Sequence, residues 1–208
     1  MAELFYLQDS RSNVGSRASF WRAGGGYTSN LDEAEQFTVE RAVKQFESRE
    51  TDLPWPVAYV RARAEIGVDC QYLTRSEAAA YRDDDGRVYV AYARDWDGND
   101  LMWVGGQGPT ANLEDAIHPH APDAAGYKRQ GFELWPCGYI VERSRPVVRA
   151  SQLDHKKALR AVGLQLPKVK HPRTRSYSNL NNCEGCGRFL SERQRFQECP
   201  NCGAWNAP

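Results

Sequence analysis

The sequence predicts an α+β fold: two tandem copies of a small strand-rich unit, then a basic linker, then a C-terminal four-cysteine module. Three observations predict it. WRAGGGYTSNLDEA at 21–34 returns as WVGGQGPTANLEDA at 103–116. Residues 1–154 hold 17 Lys/Arg against 24 Asp/Glu, whereas 155–208 hold 10 against 3, so a net charge of zero hides an acidic body and a basic tail. Cys183, Cys186, Cys199 and Cys202 are spaced C-x2-C-x12-C-x2-C. Self-similarity at a fixed period marks a repeated structural unit, and charge blocks mark separable segments.

The first unit is read as 1–74, the second as 87–154, with 75–86 as a solvated connection that includes Asp83, Asp84 and Asp85. Trp21, Gly24, Gly26, Thr28, Asn30, Leu31 and Ala34 recur 82 residues later as Trp103, Gly106, Gly108, Thr110, Asn112, Leu113 and Ala116. Further on, Trp55-Pro56, Tyr59, Val68 and Leu73 recur 80 residues later as Trp135-Pro136, Tyr139, Val148 and Leu153. Each unit reads as a strand, a turn, a strand with Trp, a glycine-rich turn, a helix, a strand with Trp-Pro and a short terminal turn. Alternation of apolar residues in LFYLQ, VYVAY, VAYVRA and CGYIVE predicts strands. Asn30 and Asn112 are good helix N-caps, with Glu33 and Asp115 three residues on. The first helix is expected to run through LDEAEQFTVERAVKQF, and Pro119 and Pro122 should break the second early. The two copies are expected to pack across a pseudo-two-fold axis.

Side chains inside the units read mostly as structure. Trp21, Trp55, Trp103 and Trp135 recur and so belong to packing, whereas Trp96, in RDWDGND, belongs to an exposed hairpin tip. Cys70 and Cys137 match Ala150 and Val57 in the other copy, as small core positions do. GGGYT and GGQGPT lack the Gly-Lys-Ser/Thr of a phosphate loop and read as tight turns. His118 and His120 have no cysteine or carboxylate motif beside them and read as loop residues.

Residues 155–182 carry seven Lys/Arg and no acid. Their first part continues SQLDHKKALRAVG, a helix capped by Ser151 and ended by Gly163; the remainder, with Pro167 and Pro172, reads as an extended tether. In the module at 183–208, two residues between cysteines let both thiolates of a knuckle face one ion. Gly187 and Gly203 follow the second cysteine of each knuckle and relieve the tight turn. The 12-residue spacer fits a short β-hairpin. Four thiolates select Zn²⁺, and four protein ligands close its coordination sphere, so the metal is expected to be structural. About 26 residues bury too little to fold alone, and metal binding supplies the missing free energy.

The cysteine pattern, with CPNCG as second knuckle, resembles the zinc ribbons of transcription and translation proteins. The first unit, with W-x-x-G-x-G-Y-T and a later W-P-x-x-Y, resembles small uncharacterised proteins of bacteriophages and prophages. The second unit departs from that pattern, with Pro109 in place of the tyrosine. The resemblance implies a phage or prophage origin and no particular activity.

With 41% hydrophobic and 26% charged residues the chain is expected to fold. No run approaches the roughly 18 apolar residues of a membrane helix, and MAELFYLQDSR lacks the basic and apolar regions of a signal peptide. A cytoplasmic protein is expected, in which clustered cysteines favour metal over disulfides. The expected function is non-enzymatic binding of nucleic acid or a nucleoprotein complex by a phage-encoded protein. Expected contact residues are Lys156, Lys157, Arg160, Lys168, Lys170, Arg173 and Arg175, with Arg188, Arg193 and Arg195 on the ribbon. The alternative is direct binding of a host protein, as an inhibitor of a host defence system of the anti-CRISPR type or of a transcription complex. An enzyme working between the two units would be expected to depend on His118 or His120. Oligomeric state does not follow from the sequence.

Overall fold

The structure, a computed structural model, describes residues 3–82, 86–168, 181–191 and 193–206, without the side chains of Asn181 and Arg195. The chain divides into two compact units, Met1–Lys168 and Val169–Pro208. The architecture is mixed α and β with antiparallel sheets. No described helix is long and apolar enough to cross a membrane.

In the larger unit, strand β1 (Leu4–Val14) pairs with β2 (Arg17–Trp21), and β2 with β3 (Tyr27–Thr28). On its other side β1 takes β4 (Phe37–Thr38) and, through Tyr6↔Trp55, β5 (Asp52–Pro56). Helix α1 (Val39–Ser48) lies between β4 and β5 in sequence. After β5 come α2 (Val57–Arg61), β6 (Glu65–Val68) and α3 (Arg75–Ala80). A second sheet has the order β10-β7-β8-β9, from β7 (Val88–Asp97), β8 (Asp100–Gly105), β9 (Gly108–Thr110) and β10 (Glu133–Pro136). Helix α4 (Ala125–Arg129) precedes β10; α5 (Cys137–Val141), β11 (Ser144–Val147) and α6 (His155–Ala161) follow it.

Both long hairpins turn on two residues, with Val14 opposite Arg17 and Asp97 opposite Asp100. Gly15 and Gly98 supply the positive φ, +59° and +65°, that such tight turns require. The turns also press together: a Cβ on Gly98 would lie 2.6 Å from the Gly15 nitrogen. Asp97 accepts hydrogen bonds from the Ser16 backbone N–H and hydroxyl.

Strands β6 and β11 pair with each other, Glu65↔Val147 through Val68↔Ser144. The two apolar cores exchange side chains accordingly. Val148 and Ala158 are buried with Tyr6, Phe20 and Trp55, while Val68 and Ala78 are buried with Trp103, Trp135 and Ile140. Phe5, Leu7, Phe37 and Leu159 form a third cluster. Segment 155–168, read from sequence as the start of a linker, thus lies within the larger unit.

The strands expected at LFYLQ and VYVAY are present as β1 and β7, and four other local expectations are corrected. VAYVRA and CGYIVE are helices, α2 and α5, each beginning directly after the Trp-Pro that ends a strand. Apolar runs this short fit either period, and here Val60 and Ile140 are buried from one helical face. The helix expected from Asn30 begins only at Val39, because Phe37 and Thr38 pair with Phe5 and Leu4 as strand. Thr38 caps α1, and Asn30 instead closes a turn by accepting from the Asp32 N–H at 3.0 Å. Helix α6 is capped by Asp154, which accepts from the Lys157 N–H at 3.0 Å, and not by Ser151; Gly163 ends it at φ +68° as expected.

The fourth correction concerns a tryptophan. Phe20 opposes Thr28, and Trp103 opposes Thr110, so Trp103 stands where Phe20 does and Trp21 stands where Val104 does. The β2–β3 turn holds one residue more than the β8–β9 turn. Because side chains alternate across a strand, Trp21 packs at 6.5 Å against Phe37 instead of in the cluster that holds Phe20.

Candidate metal centre

The smaller unit is built from two knuckles of the same design. Each starts with a buried cysteine, Cys183 or Cys199, and ends on an exposed one, Cys186 or Cys202. The glycine after each exposed cysteine is left-handed, Gly187 at φ +67° and Gly203 at φ +72°. That conformation lets the Gly187 N–H reach the Cys183 carbonyl at 2.8 Å and the Gly203 N–H reach the Cys199 carbonyl at 2.9 Å. The chain entering each knuckle bonds the chain leaving it: Cys183 N–H to the Arg188 carbonyl and Cys199 N–H to the Ala204 carbonyl, both 2.8 Å. Strands β12 (Asn181–Asn182) and β13 (Phe189–Leu190) flank the first knuckle, and Glu198 bridges Trp205 across the second. The hairpins are therefore the knuckles themselves. The spacer between them, expected to be the hairpin, carries a 3₁₀ turn at Gln194–Phe196 among its described residues.

The four sulfurs lie within 4.8 Å of one another, the one cluster of three or more ligand side chains among the described residues. Cys183 and Cys202 Sγ are 3.6 Å apart, and Cys186 and Cys199 Sγ 3.8 Å. A tetrahedron with Zn–S of about 2.3 Å has edges of about 3.8 Å, which these two separations match. Its electrostatics ask for a cation. The Arg188 N–H, with the Asn201 amide behind it, pulls the Cys186 thiol down to about 6. The Ala204 N–H favours a Cys202 thiolate, but the Cys186 and Cys183 sulfurs outweigh it and push Cys202 up to about 12. Held as thiolates at this separation the four sulfurs would repel one another, and a cation at their centre would offset that repulsion. All four positions of a tetrahedral ion would be protein sulfur, which leaves none for a substrate.

The ligands have outer support. Asn201 Nδ2 donates to Cys186 Sγ at 3.6 Å, and Arg188 Nη1 donates to Asn201 Oδ1 at 3.1 Å. Such partners orient first ligands and tune their basicity. A Cβ on Gly185 would meet the Ala204 Cβ at 2.7 Å and Cys202 Sγ at 3.2 Å, so the first knuckle closes only over glycine. Cys183, Leu190 and Cys199 are the buried core of this unit, with Ala204 against them.

The expected contact residues divide into groups. Lys156, Lys157 and Arg160 are exposed along α6, and Lys168 is exposed beyond it. Arg188 and Arg193 are exposed on the smaller unit. Lys170, Arg173, Arg175 and the Arg195 side chain lie outside the described residues, as do Asp83, Asp84 and Asp85. Sequence reasoning missed three large exposed aromatics on the smaller unit: Phe189, Phe196 and Trp205. Their signal was available, since a 26-residue module with a four-residue core has no room for them.

In the larger unit Trp96 is half exposed, as expected, and Trp55, Trp103 and Trp135 are buried. Cys70 and Cys137 are at half-buried positions and form no disulfide. His118 tilts against Tyr89 at 5.7 Å, with Nδ1 3.3 Å from the Ala116 carbonyl. No family model, curated protein or solved structure matches this chain. What the structure establishes of the site is a four-cysteine cluster suited to a structural metal ion such as Zn²⁺.

Proposed function

We propose that this protein is a non-enzymatic, zinc-dependent binding protein that engages nucleic acid or a nucleoprotein complex. The observation that carries the reading is the smaller unit: a four-cysteine site in a unit that exposes Arg188 and Arg193 and also Phe189 and Trp205. Arginines neutralise phosphates and aromatic faces stack on bases, so the pairing suits a nucleic-acid strand. Seven basic residues and no acid over 155–182 extend the same charge. The Cys₄ metal holds the unit folded and does no chemistry. A phage origin and a cytoplasmic setting belong to this reading.

The larger unit is, in the same reading, a tandem duplication of 4–74 as 87–154. The β6–β11 ladder supports this: Ile66 opposes Pro146, its own match 80 residues on, and the pairing runs symmetrically to either side. Cys70 N–H bonds the Asn99 carbonyl and Ala150 N–H the Ser16 carbonyl, both at 2.9 Å, as a two-fold axis demands.

Arg188 also positions Asn201, so Arg193→Glu, combined with Lys156→Glu and Lys157→Glu, is the cleaner test of binding. The triple variant should bind single-stranded DNA or RNA at least tenfold more weakly at low salt while keeping one zinc. Unchanged binding would remove these residues from the interface. The acidic balance of 1–154 favours a second reading, direct binding of a basic host protein; a complex that survives nuclease treatment and the triple substitution would favour it.

A further inference from the structure

The larger unit contains a cavity of about 640 Å³ that neither the metal centre nor the basic residues use. Its walls come from β1–β3 on one side and from segments 69–72 and 142–145 on the other. Its size is within the range of about 300–1,000 Å³ usual for small-molecule sites.

The charged residues in its walls are already satisfied. Asp9 is held by Arg11 and Arg49, Glu33 by Arg22 at 3.0 Å, and Asp69 by Arg145 at 3.3 Å. An ionic ligand would find no unpaired countercharge. The spare groups are neutral. Ser12 and Ser19 hydroxyls make no side-chain hydrogen bond among the described residues, although Ser19 is almost wholly buried. Asn30 uses only its Oδ1, and Gln71 and Asn99 meet each other at a long 3.5 Å. Hydroxyls and amides both donate and accept, which matches adjacent hydroxyl groups on a ligand. Tyr27 and Tyr72 line the same cavity, 46% and 68% exposed. Exposed tyrosine faces suit the apolar C–H face of a pyranose ring.

A second cavity, about 280 Å³, supplies the contrast. By strand register Met102, Pro109 and Ala111 stand there where the first cavity has Ser19, Tyr27 and Ser29. The hydroxyl-rich lining is thus particular to one of two comparable places in the fold. We propose that the larger cavity binds a neutral saccharide of one or two pyranose rings.

The test is a titration of the ¹⁵N-labelled, zinc-loaded full chain with glucose, galactose, mannose, N-acetylglucosamine and the β-linked disaccharides of glucose and N-acetylglucosamine, followed by amide shifts. At least one should give saturable shifts at Ser12, Ser19, Asn30, Gln71 and Asn99. Tyr72→Ala and Gln71→Ala, both at exposed positions, should each weaken it about tenfold, or about 1.4 kcal/mol, without moving the thermal midpoint. Trp96→Ala should change nothing, and glucose 6-phosphate should bind no better than glucose. If no free sugar binds, dextran and mannan provide the same rings as glycosyl groups of a polymer, and saturable cleft shifts with either would place the ligand on a glycoconjugate. No cleft shift with any free or polymeric sugar, equal affinity in both variants, or preference for the phosphorylated sugar would overturn the proposal.

Discussion

Arg17 and Asp100 hold the same place in the two long hairpins, directly after the turn, and each is the other's buried partner: Nε to Oδ2 is 2.9 Å and both side chains are 1% exposed. Around them Glu65 takes Arg17 at 2.7 Å and Arg149 at 2.9 Å, and Arg145 takes Asp100 at 2.5 Å. The two hairpins are thus joined by opposite charges: an arginine here would repel Arg17, whereas Asp100 attracts it. The network ties β2 to β8 through side chains taken out of water.

Removing one member of this network should be costly. Asp100→Ala leaves Arg17 and Arg145 buried without their shared carboxylate, and breaking a buried pair this way costs about 3–5 kcal/mol. Urea unfolding of the full chain should show that loss. The double variant Arg17→Met/Asp100→Leu should recover part of it, because an apolar pair leaves no orphaned charge. A loss below about 1 kcal/mol, the level of a surface pair, would mean that solvent reaches the network.

Acid should weaken the larger unit through Asp9. Paired hydrogen bonds from Arg11, aided by Arg49, hold its carboxyl at about 2, below the usual 3.8. A carboxylate with a depressed folded pKa stabilises above its unfolded pKa, because the unfolded chain takes up the proton first as pH falls. That contribution is complete above about pH 5 and lost between about 4 and 2. Glu65, lowered in the same sense against its own burial by Arg17 and Arg149, adds to the slope. Denaturant midpoints from pH 6 to pH 2 should fall in that window, and Asp9→Asn should flatten the fall.

Zinc removal should act on one unit only. A strong chelator should collapse the amide dispersion of 181–206 while the signals of 3–168 stay in place, since no cysteine ligand lies there. Substituting Cys183→Ser should reduce bound zinc from one equivalent to less than half. Loss of structure throughout the larger unit on chelation would contradict independent folding of the two.

How much of this was legible depended on range. The metal centre was readable because C-x2-C-G is a local instruction: two ligands, one turn, one left-handed glycine. Strands β1 and β7 were readable because LFYLQ and VYVAY are short apolar runs of strand-favouring residues. VAYVRA was misread because five apolar-rich residues after a proline satisfy both periods. The long helix from Asn30 was misread because nothing local reveals that Phe37 pairs with Phe5. Trp21 was read as core like Trp103, but the strand registers put it on the face opposite Phe20. The Arg17–Asp100 pair was out of reach: it joins residues 83 apart whose chemistry differs, and only the packed turns of Gly15 and Gly98 bring them together.

The most direct test of the binding account is fluorescence anisotropy of labelled single- and double-stranded DNA and RNA, over a salt series, with zinc-loaded and metal-stripped full-length chain. The account predicts binding by the zinc-loaded chain that weakens with a log–log salt slope of about −3 or steeper, as for roughly four phosphate contacts, and much weaker binding once zinc is removed. No binding at low salt by the zinc-loaded chain, or binding indifferent to salt and to zinc, would contradict it.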